Sequence, residues 1–454
     1  MIPFAVLSGL FLMPDGQTKE VRILDLAPDG FTFRLADPLP DPELPDSPQF
    51  KITLHFYDFE NSCFRELTFS DFHLEKDAGS SSDFYTVYRL TTDNPRFRES
   101  AAHLAAEYLR YVELKSEQDD ARVSQTLTGY PADLEDRYPE SFDAQKRAWF
   151  TEASQTSDFL LPEVSSCELA LSLDRPSVCE RYLTLPLSDF IADFWSRNYL
   201  TAHPLAGKEV NCLYFGNQFC HLLFPELPAL IRLLDKALRE NVTPVVVFSY
   251  VQEHRLEACG SLLEALAVWC LENDRPLELV VNDWGMLSMI RDRGYSCFRL
   301  TLGVLLAKRR KDVRLPYKRG FSPEDYNETS LQAPFYQEYL REHFHIDRIS
   351  YESCGYSPRI APGSASLHIP FYQMNTSQFC TLYAACQNGG RGNQCAVFQC
   401  PEYCRDRAFL YPEFLHMVGR YNSLFGYDKD VLTDPERIRS FIAQGGRRIV
   451  AEFL

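Results

Sequence analysis

Five of the chain's 14 cysteines fall between positions 380 and 404: Cys380, Cys386, Cys395, Cys400 and Cys404, separated by five, eight, four and three residues. Thiols this dense can form disulfides, bind zinc or hold an iron–sulfur cluster. The stretch contains no histidine and no pair of C-x-x-C motifs, whereas structural zinc sites usually draw on two close pairs of ligands. Iron–sulfur clusters take thiolates at irregular spacing and from distant parts of a chain. That chemistry is favoured, with zinc and structural or oxidised thiols as the alternatives.

The compartment bears on the choice. The opening MIPFAVLSGLFLMPDG has no Lys or Arg before its apolar run and no small-residue cleavage site, so it reads poorly as a signal peptide. No segment approaches the ~20 apolar residues that span a bilayer. A cytoplasmic protein without a membrane span is expected, and there clustered cysteines bind metal more often than they pair. A net charge of −17 argues against nucleic acid or anionic lipid being bound by bulk attraction. One basic run stands out, AKRRKDVRLPYKR, with Lys308, Arg309, Arg310, Lys311, Arg314, Lys318 and Arg319. It reads first as a solvated face.

At 454 residues with 45% hydrophobic content the chain is large enough for two or more domains. Residues 1–115 carry short runs rich in Val, Ile, Phe, Tyr and Thr (KEVRILDL, GFTFRLA, FKITLHFYDF, FRELTFSDFHLEK), then PRFRESAAHLAAEYLRYVELK with helical periodicity. Strands followed by one helix predict a small β-barrel. Residues 116–205 read as an acidic connector with helices, SDFIADFWSRNYL among them. From 206 to 454, apolar strands (VNCLYFG, TPVVVFS, LELVVND, FRLTLG, DRISYES, LHIPFYQ, RRIVAEF) alternate with helical stretches. That alternation predicts an α/β fold with a parallel sheet, sized for a (β/α)8 TIM-like barrel. A doubly wound open sheet is the runner-up, without G-x-G-x-x-G or a P-loop to support a nucleotide version.

Barrels gather reactive groups at the carboxyl ends of their strands. There the sequence places Asn217 and Cys220, then Asn282 and Asp283, Glu352, and His368 with Tyr372 and Gln373. Asn282, Asp283, Glu352 and His368 are the candidate catalytic residues. Asp283 reads equally as a cap on the helix after it.

Two resemblances follow from these residues. Asp25, Gly30 and the strand FTFRL echo the D-x-S-x-x-G turn of PilZ domains, with Ala27 where that family has serine. The paired arginines of the family are absent, which argues against cyclic di-GMP binding and leaves a degenerate docking barrel. YFGNQFCHLLFPEL, LELVVNDWGML, TLGVLLAKRRKDVR and SQFC…NQCAVFQC resemble the collagenase-like peptidase family that includes UbiU and UbiV. The resemblance covers residues 206–454. It implies a [4Fe-4S] cluster inside the barrel, with Cys220 as the strand-end ligand and Cys380 as the cysteine of the S-x-x-C segment. The other two ligands come from Cys395, Cys400 and Cys404, with Cys395 and Cys400 first and Cys386 the spare. Asn217 and His221-Leu222 depart from the acidic and basic residues usual there.

The function implied is oxygen-independent hydroxylation, or a related redox modification, of a small molecule or RNA base, with a protein partner of the same family. A non-catalytic regulatory or RNA-binding scaffold is the alternative, using the basic run and Tyr317. Peptidase chemistry is a second alternative with little support, since H-E-x-x-H and G-x-S-x-G are both absent.

Overall fold

The computed structural model describes the chain apart from residues 1–5, 14–15, 17, 37, 40–49, 59–62, 83, 118–138, 155–158, 160–161, 310, 312–326, 328, 362, 391–392, 406 and 411–415. It divides into two compact units, Met1–Asp133 and Leu134–Leu454.

In the first unit, seven antiparallel strands follow one another before a helix: β1 (Leu7–Leu12), β2 (Thr18–Ala27), β3 (Gly30–Leu35), β4 (Lys51–Asp58), β5 (Cys63–Phe69), β6 (His73–Ser82), β7 (Tyr85–Thr91) and α1 (Pro95–Glu117). They pair in the linear order β5-β4-β1-β2-β3-β7-β6. Alternation puts Phe11, Val21, Phe33, Ile52, Leu54 and Leu90 into one core, onto which α1 lays Phe97, Ala101 and Leu104. Those three positions are spaced four and three apart, one face of a 3.6-residue helix. Gly30 is needed where β3 meets β7, because a Cβ there would lie 2.0 Å from the Leu90 carbonyl oxygen. The sequence expectation was a barrel; the described pairings form a sheet with β5 and β6 at its ends.

The second unit is built on a closed ring of eight parallel strands. These are β8 (Glu168–Leu173), β9 (Cys212–Gly216), β10 (Thr243–Val247), β11 (Leu277–Val281), β12 (Phe298–Leu302), β13 (Arg348–Glu352), β14 (Ser364–Thr376) and, after an insertion, β18 (Gly446–Glu452). Each pairs with the next, and β18 closes the ring between β14 and β8. All seven strands read from residues 206–454 are present. The eighth, β8, lies in the stretch read as connector, so the barrel begins before residue 206.

Helices α4 (Pro176–Thr184) and α5 (Leu187–Arg197) follow β8, α6 (Leu227–Arg239) follows β9, α7 (Leu256–Glu272) follows β10, α8 (Trp284–Asp292) follows β11 and α9 (Pro334–Phe344) follows β12. Between β13 and β14 no helix occurs among the described residues. The insertion after β14 holds α10 (Thr381–Gln387), an antiparallel extension of the sheet by β15 (Phe409–Leu410), β16 (Met417–Arg420) and β17 (Ser423–Tyr427), and helices α11 (Asp430–Thr433) and α12 (Pro435–Ala443). Helices α2 (Pro139–Ala153) and α3 (Pro162–Ser166) precede β8.

Side chains at every second position of a strand share a face, and this layers the barrel interior. On β18 the inward set is Arg448, Val450 and Glu452. The middle layer is apolar: Ala170, Tyr214, Val245, Val247, Val280 and Val450 pack together. At the amino end, Arg448 donates from Nη1 to both oxygens of Glu278 at 3.0 Å and to Tyr214 Oη at 2.9 Å, and from Nε to Glu168 at 2.7 Å. Arg348 reaches Glu278 at 3.1 Å and Thr301 donates to it at 2.9 Å. One carboxylate thus ties together three further strands. Removing one partner of a buried ion pair costs about 3–5 kcal/mol, against ~1 kcal/mol or less for an exposed pair. We expect Glu278→Ala to lower the urea-unfolding free energy by about 3–5 kcal/mol, and Glu436→Ala, which breaks an exposed pair with Arg439, by less than about 1 kcal/mol.

Candidate functional site

Four of the cysteines converge at the carboxyl end of the barrel. Cys220 follows β9 in a tight turn held by Asn217, whose Oδ1 accepts the N–H groups of Phe219 at 2.8 Å and Cys220 at 2.9 Å. Cys380 sits at the N-cap of α10, where its sulfur accepts the Tyr383 N–H at 3.3 Å and its thiol donates to the Tyr421 carbonyl at 3.1 Å. Cys400 accepts the Glu402 N–H at 3.3 Å. Cys404 is buried in the single turn Tyr403–Arg405.

The thiols lie near enough to act on one another electrostatically, Cys220 with Cys404, Cys380 and Cys400, and Cys404 with Cys400 and Cys380. Burial pushes each thiol up, Cys380 to about 11 and Cys404 to about 12, with Cys220 and Cys400 also raised. A buried thiolate is disfavoured unless a cation compensates it. The sequence expectation put Cys395 in the set. It is exposed instead, its sulfur accepting from Asn388 Nδ2 at 3.5 Å, and Cys404 takes the place beside the other three. Cys386 is half-buried and accepts from Arg407 Nη1 at 3.4 Å.

Among the described residues no three His, Cys, Asp or Glu groups approach closely enough to hold one metal ion. Four sulfurs on a tetrahedral zinc would stand about 3.8 Å apart, from bonds of ~2.3 Å. An iron–sulfur cluster, by contrast, places each thiolate on a different iron.

The segments that carry the cysteines are tied together by Asp174, which directly follows β8. Its carbonyl accepts Asn217 Nδ2 at 3.1 Å, its carboxylate receives the Tyr421 hydroxyl, and Arg175 pairs with it at 3.1 Å. Cys220 is therefore linked to Asp174 through Asn217, and Cys380 through Tyr421. Arg420 donates from Nε to the Cys404 carbonyl at 3.1 Å. None of Asp174, Arg175, Arg420 or Tyr421 was picked out from sequence; Asp174 in particular needed β8 to be recognised as a strand.

The expected catalytic residues separate. His368 Nδ1 and Glu452 Oε2 are 2.8 Å apart, and Gln218 Nε2 lies 3.3 Å from the same nitrogen. Asn282 donates to Gln218 Oε1 at 3.3 Å and to the Phe248 carbonyl at 2.8 Å. The carboxyl-end layer of the barrel is thus Glu452–His368–Gln218–Asn282, all buried, and among the described residues His368 Nε2 has no hydrogen-bond partner. Gly303 makes room for it, since a Cβ there would fall 2.2 Å from Asn282 Oδ1.

Asp283 does not join this layer. It caps α8, accepting the Met286 N–H at 3.0 Å and the Val251 N–H at 3.3 Å. Glu352 is engaged by Lys311 and by the Gln373 N–H at 2.6 Å. Lys311 also reaches Gln373 Oε1 at 3.2 Å, and Arg309 donates to the Glu352 carbonyl. These two cations of the basic run turn inward, unlike the solvated face expected, while Lys308 is exposed; Arg310, Arg314, Lys318 and Arg319 lie outside the described residues. Tyr317 and residues 312–319 lie outside the described residues.

Beside Cys220, a cavity of about 80 Å³ is lined by His221, Phe248, Tyr250, Arg255, Cys259 and Met286. Burial, with Arg255 and His254 nearby, lowers His221 to about 4. Set against known families, curated proteins and solved structures, the chain matches none. Among the described residues no helix is long and apolar enough to cross a membrane.

Lys146 is buried near the same group, and burial, then Arg175 and Arg420, lower it to about 7. Its ordinary value in an unfolded chain is about 10.4. Between these values the unfolded chain binds the proton and the folded one does not, so this lysine makes stability rise with pH from about 7 to about 10. In the metal-free protein we expect Lys146→Met to remove that component. Urea midpoints measured at pH 7 and pH 9 should differ less in the variant's favour at the higher pH.

Proposed function

We propose that the barrel holds a [4Fe-4S] cluster on Cys220, Cys380, Cys400 and Cys404 and supports an oxygen-independent hydroxylation, or a related redox modification, of a small molecule or RNA base. The observation that carries the reading is the convergence of four thiols from three separated stretches, one after β9 and the others in the insertion after β14. Such a cluster, when bound, supplies one-electron chemistry. The Tyr383 and Glu402 N–H groups donate to two of the sulfurs and favour their thiolate forms. Glu452 orients His368 by holding Nδ1, leaving Nε2 to hold or pass a proton. Gln218 and Asn282 fix the rotamers of that layer.

On this reading the eight-stranded ring is a (β/α)8 TIM-like barrel of the collagenase-like peptidase type. The first unit is a PilZ-like docking module without cyclic di-GMP. The setting is cytoplasmic, where thiols stay reduced, and a partner of the same family is part of the proposal. Peptidase chemistry is not favoured, because among the described residues neither ring nitrogen of His221 has a hydrogen-bond partner and so none links it to Cys220 as a base. An RNA-binding scaffold loses support from the inward turn of Arg309 and Lys311.

Iron and acid-labile sulfide should be measured after anaerobic purification. We expect about four iron per chain, lost in Cys220→Ala, Cys380→Ala, Cys400→Ala and Cys404→Ala and kept in Cys386→Ala and Cys395→Ala. Absence of iron from the unsubstituted chain would sink the reading. Loss in the Cys395 variant with retention in the Cys404 variant would overturn the ligand set.

A further inference from the structure

Two guanidinium groups stand beside the cysteine that the sequence did not place first. Arg420, at the end of β16, is buried and donates from Nε to the Cys404 carbonyl at 3.1 Å and from Nη2 to the Arg405 carbonyl at 3.4 Å. Its guanidinium carbon lies 5.8 Å from the centre of the Tyr421 ring. Arg175, just after β8, is held by Asp174 and donates to the Phe453 carbonyl at 3.2 Å. Both act on Cys404.

Arginine keeps its charge when buried, and charges in a low-dielectric interior interact strongly and are screened little by salt. Arg175 is paired with Asp174, and with Arg420 it adds positive charge that also acts on Cys404. Lys311 and Arg309 lie on the Glu352 side of the barrel, and Arg255 lies by the cavity.

We propose that Arg420, backed by Arg175, is the counter-charge of the four-cysteine site and raises the reduction potential of the centre held there. The inference rests on the iron–sulfur reading above and adds to it which residues set the redox behaviour. One electron taken from an external donor adds one unit of negative charge to a site whose thiolates are already anionic. A fixed positive charge lowers the free energy of that reduced state more than that of the oxidised one, so the potential rises. Net charge, hydrogen bonding to sulfur and exposure are the protein's means of tuning such centres. Arg420 acts here as a positioning and tuning residue and needs no contact with substrate.

The test is a spectroelectrochemical titration of the anaerobically purified, iron-containing full chain, with dithionite as reductant, comparing the unsubstituted protein with Arg420→Gln and Arg420→Lys. Opposite charges at close range shift such equilibria by about tenfold or more. Arg420→Gln should therefore favour the oxidised form about tenfold, a potential lower by ~59 mV for a one-electron couple. Arg420→Lys keeps the charge but loses the planar fork, and should stay near the unsubstituted value. The Gln shift should persist at high salt, because the charge is buried.

Equal potentials for the unsubstituted and Gln proteins would overturn the proposal, as would equal shifts in the Gln and Lys variants, which indicate loss of the carbonyl hydrogen bonds instead. Should Arg420→Gln fail to fold or keep iron, Arg175→Gln against Arg175→Lys makes the same comparison, with the same reading of equal shifts. Absence of iron from the unsubstituted chain is a different failure, that of the iron–sulfur reading itself.

Discussion

Ring closure between β8 and β18 is the constraint on which the rest of the second unit depends. A parallel barrel has no free edge only if its first and last strands pair, and here they pair from Arg448↔Glu168 to Ala451↔Leu171. The seam is reinforced at the amino end by the ion pair of Arg448 with Glu168, and Arg448 carries the contact on to Glu278 across the interior. At the other end of β8 stands Asp174, whose position follows directly from that pairing. Because Asn217 and Tyr421 both bond to Asp174, closing the ring also fixes the approach of the Cys220 and Cys380 segments to one another.

The interior follows a simple division of labour. The amino end is charged and fully paired, the middle is packed with Val, Ala and Tyr214, and the carboxyl end is polar. Glu278, Arg448 and Arg348 have too many mutual bonds to be available for chemistry; their role is registry and closure. At the carboxyl end His368 Nε2 has no hydrogen-bond partner among the described residues. That layer holds an imidazole oriented by Glu452, and the grouped thiols are disfavoured as thiolates by burial unless a cation compensates them.

How much of the site could be read in advance varies by residue. That Cys220, Cys380 and Cys400 are grouped had a local signal, because strand-end placement and thiol density are properties of neighbours along the chain. Asn282, just after β11, and His368, a polar residue within the apolar run of β14, had a similar local signal for sharing one layer. Asp283 was ambiguous, since Asp at a strand end before a helix serves equally as cap or acid, and the backbone N–H groups of Met286 and Val251 decided it. Glu452 was overlooked inside RRIVAEF, where an acid closing an apolar run was the available signal. Arg309 and Lys311 misled because a charge run carries no information about which members turn inward.

Apolar periodicity and strand–helix alternation were enough to specify seven of the eight barrel strands, the α1 face of the first unit and the density of thiols in one late segment, because each is a matter of neighbours along the chain. Three things required the folded chain: that ELALSL completes the ring, that Cys404 and not Cys395 joins the group, and that Asp174, Arg175 and Arg420 support it. Sequence separations of 43 residues for Asn217 with Asp174 and 247 for Tyr421 with Asp174 leave no local trace. Such pairings are set by strand register and ring closure, which only the tertiary structure supplies.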